Sequence, residues 1–156
     1  MNEKKQSSSA KSEEANLLPQ IGIVSQYIKD LSFENPNAPQ SVDNPNYPNV
    51  NVNVAVQANN AIDETYEVDL KITAEAKDED KVAFILELVY GGLFRVLNIP
   101  KDQIQPVLLV ECPRLIFPFA RRIVADVTGD GGFPPLQLNP MDFMALYREK
   151  IAEKKK

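Results

Sequence analysis

The sequence predicts an α+β fold in which an antiparallel sheet comes first and helices follow. Two observations carry that expectation. Three segments between residues 50 and 90 alternate apolar and polar residues with a period of two, which places each apolar set on one face of a sheet. Beyond residue 101 the apolar residues recur at helical spacing instead, so strands and helices are segregated along the chain. One-sided alternation belongs to antiparallel sheets, since parallel ones are covered on both faces.

The first strand is expected over Ile21–Phe33, a mixed run with Tyr27, Ile28, Leu31 and Phe33. From Glu34 to Asn49 come four prolines and five asparagines, which exclude a helix and a central strand and predict a long crossing loop. Val50, Val52, Val54 and Val56 form the first alternating set. Tyr66, Val68, Leu70, Ile72 and Ala74 form the second, and Val82, Phe84, Leu86, Leu88 and Tyr90 the third. The polar run Lys77–Lys81 reads as the hairpin between the last two. In the fourth strand the opposite face is also apolar, with Ala83, Ile85 and Val89 around Glu87. That face is either buried beneath an edge loop or a docking surface.

Gly91-Gly92 is expected to end or bulge the fourth strand, with the chain turning helical over Leu93, Phe94, Val96 and Leu97. From Asp102, Ile104, Val107, Leu108 and Val110 have helical spacing, and Pro113 should kink or end that run. A resumed helix would hold Pro118 in its first turn, bury a stripe of Leu115, Phe119, Ile123 and Val127, and stop at Gly129. Gly131–Leu138 reads as an extended connector. Asn139 and Pro140 suit the cap and first position of a last helix, with Asp142 favourable to its dipole and Phe143, Leu146, Tyr147 and Ile151 at helical spacing.

The chain has 156 residues, 44% of them hydrophobic, enough for one domain with a real core. Residues 1–19 read as a disordered tail, 20–150 as the folded domain and 151–156 as a lysine-rich tail. A net charge of −5 argues against a nucleic-acid partner. The single cysteine, Cys112, allows no internal disulfide and fits a reducing compartment. The N-terminal residues lack the apolar core of a secretory signal. The longest apolar cluster, residues 106–120, is broken by Glu111, Arg114 and three prolines, too interrupted to insert into a bilayer. A cytoplasmic protein is expected.

Catalytic residue types are scarce. There is no histidine, which removes the usual general base and the commonest metal ligand. One cysteine makes no structural zinc site, and Cys112 in its apolar run reads as a small buried hydrophobe. Gly129-Asp-Gly-Gly132 lacks the Lys and Ser/Thr of a phosphate loop. Asp78-Glu-Asp80 sits on a hairpin tip. No catalytic residue, metal or cofactor is expected, and the chain does not read as an enzyme.

Four motifs then carry a resemblance. Tyr27-Ile-Lys-Asp-Leu-Ser-Phe-Glu-Asn-Pro-Asn-Ala-Pro39 resembles the first-strand signature of the SecB protein-export chaperone family. Gly91-Gly-Leu-Phe94, Cys112-Pro-Arg-Leu-Ile-Phe-Pro-Phe-Ala-Arg121 and Gly132-Phe-Pro-Pro-Leu-Gln-Leu-Asn-Pro140 resemble further family motifs in the same order. The resemblance covers roughly residues 20–150. It implies a four-stranded antiparallel sheet with helices on one face, assembled as a homotetramer, a dimer of dimers. It also implies ATP-independent holding of unfolded precursor proteins and their delivery to the SecA motor. By position, Asp30, Glu34, Ile85 and Glu87 match family residues on the flat outer sheet face that contact the zinc-bearing C-terminal tail of SecA. A client groove is expected between Tyr47 of the crossing loop and Phe94, Phe117 and Phe119. The rival classes are a structural adaptor for one folded partner and, with little behind it, a hydrolase using clustered carboxylates.

Overall fold

The computed structural model describes residues 18–43 and 49–154. Its four strands are β1 (Gln20–Glu34), β2 (Asn49–Asn60), β3 (Thr65–Asp78) and β4 (Lys81–Leu97). They form one antiparallel sheet in the order β1-β4-β3-β2. Because β1 pairs with β4, the chain between Glu34 and Asn49 passes from one sheet edge to the other. Of the tail expected at 1–19, residues 1–17 lie outside the described residues, as do Tyr47 and residues 155–156.

Alternation sets the core. Val68, Leu70 and Ile72 of β3 and Phe84, Leu86 and Leu88 of β4 are all buried on the same side of the sheet. Each such side chain contributes about 1.5–3 kcal/mol. At one end the rings of Phe33, Phe84 and Phe133 form a triangle with centroid separations of 5.0 to 6.5 Å. A two-residue turn, Glu79–Asp80, joins β3 to β4 with Glu79 at φ 54°.

The fourth strand runs unbroken through Gly91-Gly92 to Leu97, contrary to the expected break and helical turn. Both glycines are paired on either side, Gly91 with Tyr27 and Asp69 and Gly92 with Gln26 and Val68. Ladder bonds on two sides outweigh local flexibility. The glycines are needed for space: a Cβ on Gly91 would lie 2.8 Å from Tyr27 Cε2, and one on Gly92 2.6 Å from Phe94 Cε2. The bulges fall elsewhere, at Val24 and Lys29 of β1 and near Ala83 of β4.

Helices cover the inner face. The first, α1 (Lys101–Pro106), passes through a wide π turn (Val107–Glu111) into α2 (Cys112–Asp130) without a break. Pro113 does not end the run: the wide turn lets Cys112 N–H bond to Val107 O and leaves the proline in the first turn of α2, where it is tolerated. Pro118 lies inside α2 instead of in its first turn. The buried stripe is Cys112, Ile116, Ala120, Val124 and Thr128, and the expected Leu115 and Phe119 are exposed. Small Cys112 and Ala120 let the helix approach the sheet closely, and that decides between two adjacent apolar stripes.

Gly129 is helical, and the helix stops two residues later. Gly132 takes φ 95°, its N–H bonds to Gly129 O, and Phe133 N–H bonds to Thr128 O, a paired closure that needs a left-handed residue. The last helix, α3 (Phe143–Lys154), starts after the expected Asn139-Pro140 because Asp142 is its cap, with Ala145 N–H donating to Asp142 Oδ1 at 3.0 Å. It continues past Ile151 to Lys154.

Candidate functional site

Directly paired residues of antiparallel strands share a face, so the register defines what the outer sheet face presents. Three rows cross it: Asp30, Val89, Lys71 and Ala55; Ser32, Glu87, Thr73 and Asn53; Glu34, Ile85, Glu75 and Asn51. The candidates Asp30, Glu34, Ile85 and Glu87 therefore all stand on this one face. Ile85 is 38% exposed, so it is not buried beneath an edge loop. A shallow depression there is lined by Ser32, Glu34, Asn51, Asn53, Glu75 and Glu87. Two lysines answer part of the acidity, Lys71 at 3.1 Å from Glu87 and Lys77 at 3.4 Å from Glu75. Both pairs are well exposed and worth little individually.

Beside these rows lies a denser cluster. Lys29 Nζ is 2.7 Å from Glu67 Oε1 and 2.8 Å from Asp69 Oδ2, and Tyr27 donates its hydroxyl to Glu67 Oε2 at 2.5 Å. The hydrogen bonds from Lys29 and Tyr27 hold the Glu67 carboxyl below its ordinary range. The same bond to Glu67, aided by burial, pushes Tyr27 up to about 12. Hydrogen bonds to Asp69 and Glu67 raise Lys29, so its charge is secure.

The three described aromatic candidates do not share one surface. Phe94 is buried without exposure, and Phe117 is buried with its ring edge-on to Phe143 at 5.7 Å. Both belong to the core, Phe94 on the inner face of β4 and Phe117 against Phe143 of α3. Of the three described candidates, Phe119 is the exposed one, on the outward side of α2.

An apolar groove opens instead along edge strand β2, which the sequence reading missed. Val50, Val52 and Val54 face Leu136, Leu138 and Met141 of the connector across it. Its signal was available: Leu136 and Leu138 alternate in a proline-rich extended run. Farther along β2 a second depression is lined by Val54, Val56, Leu109 and Tyr147, where Lys150 Nζ donates to Val56 O at 3.1 Å. The connector is tied to α2 through Thr128, whose Oγ1 donates to Val124 O at 2.8 Å and accepts from Leu136 N–H at 2.9 Å.

Burial pushes the Cys112 thiol up to about 12, so it holds no reactive thiolate. Among the described residues, no group of three His, Cys, Asp or Glu is placed to hold a metal ion, and no helix is long and apolar enough to cross a membrane.

The sequence is similar to one family of known proteins. The family model described as preprotein translocase subunit SecB matches residues 14–154. The protein-export protein SecB of Afipia carboxidovorans is 53% identical over 144 residues, covering 92% of this chain and 89% of the relative. That of Parvibaculum lavamentivorans is 56% identical over 135 residues, covering 85% and 79%. Among solved structures, the Mycobacterium tuberculosis Rv1957 SecB-like chaperone, in complex with a ChAD peptide from the Rv1956 HigA1 antitoxin, superimposes with a TM-score of 0.60. It is 16% identical and covers 78% of this chain and 91% of its own, a likeness of fold.

Proposed function

The chain belongs to the SecB family of protein-export chaperones, and from that premise we propose that it holds unfolded precursor proteins in the cytoplasm without ATP and passes them to the SecA motor. The observation that carries this reading is the separation of two surfaces. The apolar groove between β2 and the connector lies on the inner side of the sheet, whereas Asp30, Glu34, Ile85 and Glu87 share the outer side. Client and motor then need not compete for one surface.

Holding follows from mass action. A protein that binds only the unfolded state keeps its client unfolded, and no nucleotide is needed for that. One client side chain buried in the groove is worth about 1.5–3 kcal/mol, so a single contact is weak and unselective. Repetition strengthens it, since linked contacts on one client raise avidity by about 10²–10⁴. The groove is therefore read with a homotetramer, a dimer of dimers. Exposed Ile21, Ile23, Val24 and Leu31 on β1, with Leu115 and Phe119 on α2, supply apolar surface for such contacts. The acidic outer face suits a basic segment of SecA, and that attraction should weaken with salt.

The test dilutes a chemically unfolded protein into buffer with and without the chaperone, and measures SecA association separately. Suppressed aggregation without ATP is expected at stoichiometric tetramer, and its absence would overturn the holding role. Glu87→Lys should preserve holding and abolish SecA association. Loss of both would assign Glu87 to folding or assembly.

A further inference from the structure

One residue of β1 decides which of its side chains reach the outer face. Ile28 pairs with Tyr90 and the next pair is Asp30 with Val89, so Lys29 is an extra residue in the ladder. The bulge leaves Asp30, Ser32 and Glu34 on the outer face and Leu31 and Phe33 on the inner. Without it the two sets would exchange faces, because side chains alternate with a period of two. Asp30 and Glu34 would then point inward and Phe33 would leave its aromatic triangle.

The extra residue is held across two strands. Lys29 and Tyr27 on β1 reach over β4 to Glu67 and Asp69 on β3, with Lys29 bonded to both acids and Tyr27 to Glu67. Passage over β4 requires a bare backbone at the crossing point, and Gly91 lies there. A Cβ on it would come within 2.8 Å of Tyr27 Cε2, 3.1 Å of Lys29 Cδ and 3.2 Å of Asp69 Oδ1. Each part is accounted for by this crossing: the bulge supplies the reach, the acids anchor it and the glycine clears the path.

We infer that Tyr27, Lys29, Glu67, Asp69 and Gly91 form a register clamp that sets Asp30 and Glu34 on the outer face. They are positioning residues, acting through the two acids that meet the partner. The inference rests on the reading of that face as the SecA-binding surface. It adds a device to it: partner recognition depends on a bulge two strands wide as well as on the acids themselves.

Lys29→Met in the full-length protein tests the clamp, with Lys29→Arg as rescue, since a guanidinium spans two carboxylates equally well. SecA affinity and client holding are measured on each clamp variant with Glu87 intact, and the register cross-link on a parallel protein that carries the same clamp substitution. The cross-link joins cysteines placed at the directly opposed Ser32 and Glu87, against a background in which the native Cys112 is buried. Lys29→Met should lower SecA affinity by about tenfold or more, lose the cross-link and hold clients within about twofold, and Lys29→Arg should restore both lost signals. Should Lys29→Met fail to fold, the combination of Glu67→Gln and Asp69→Asn keeps every shape and carries the same test. A retained cross-link in the clamp variants, or unchanged SecA affinity beside a Glu87→Lys that abolishes it, overturns the inference. Intact SecA binding by Glu87→Lys would instead remove the partner reading, and the cross-link would still decide whether Lys29 sets the register.

Discussion

Glu67 accepts from two donors at once, a lysine ammonium and a phenol, and this makes the stability contributed by one residue depend on pH in a defined way. Its folded carboxyl titrates below the unfolded value near 4.5, so its contribution is present above that value and lost as pH falls through the folded one. Tyr27 is the opposite case. Its folded value is about 12 against 10.0 when unfolded, so its contribution is complete below 10.0 and lost as pH rises through about 12. Tyr27→Phe should therefore cost about 1 kcal/mol near neutrality, the worth of one partly wet hydrogen bond. The wild-type advantage should be level between roughly pH 5 and 10 and shrink on either side. Denaturant melts across that range check it, and an advantage undiminished at pH 12 would contradict the assignment of the proton to this bond.

At the scale of the elements, the connector between α2 and α3 is tied to the helix by one side chain. Thr128 is fully buried at the end of α2, and its hydroxyl joins two helical carbonyls to Leu136 N–H. Thr128→Val keeps the shape and strands that N–H, which should cost about 1–3 kcal/mol. It should also weaken client holding, because Leu136 and Leu138 lose their tether beside Val50 and Val52. Urea unfolding and aggregation suppression measure the two effects, and stability unchanged by the substitution would remove Thr128 as the tether. The sequence read the strands better than the helices, for a physical reason. A period of two leaves only two faces, and β3 buries its Val68, Leu70 and Ile72 as alternation requires. On α2, by contrast, the stripe of Leu115 and Phe119 lies one position from that of Ile116 and Ala120. Spacing alone cannot choose between them, and contact with the sheet chooses the second. Gly91-Gly92 misled for a similar reason, since the rings that need their space belong to Tyr27 on another strand and to Phe94 two residues on.

For the whole molecule the unanswered surface is apolar. The motif resemblance brought Asp30, Glu34, Ile85 and Glu87 forward, and alternation is enough to put Ile85 and Glu87 on one face of β4. The resemblance put Asp30 and Glu34 on that face as well, and their pairing with Val89 and Ile85 sets them there; what was not legible is the bulge at Lys29, which brings Tyr27 to the same face. The groove was missed for a different cause: phenylalanines drew the search to themselves, and here Phe94 and Phe117 are spent on the core while valines of β2 remain half-open. Phe119, at 41% exposed, is left over from both, on a helix face that the described residues leave open. Phe119→Asp should accordingly leave the fold of one chain intact, since no core volume is lost. It should break the proposed tetramer if this face is part of its interface, because a carboxylate buried there without a partner is costly. Light scattering should show species smaller than a tetramer, and client affinity should fall by about 10²-fold as the linked contacts are lost. A Phe119→Asp tetramer with full client affinity would exclude this face of α2 from assembly and leave the exposed row of β1 to carry it alone.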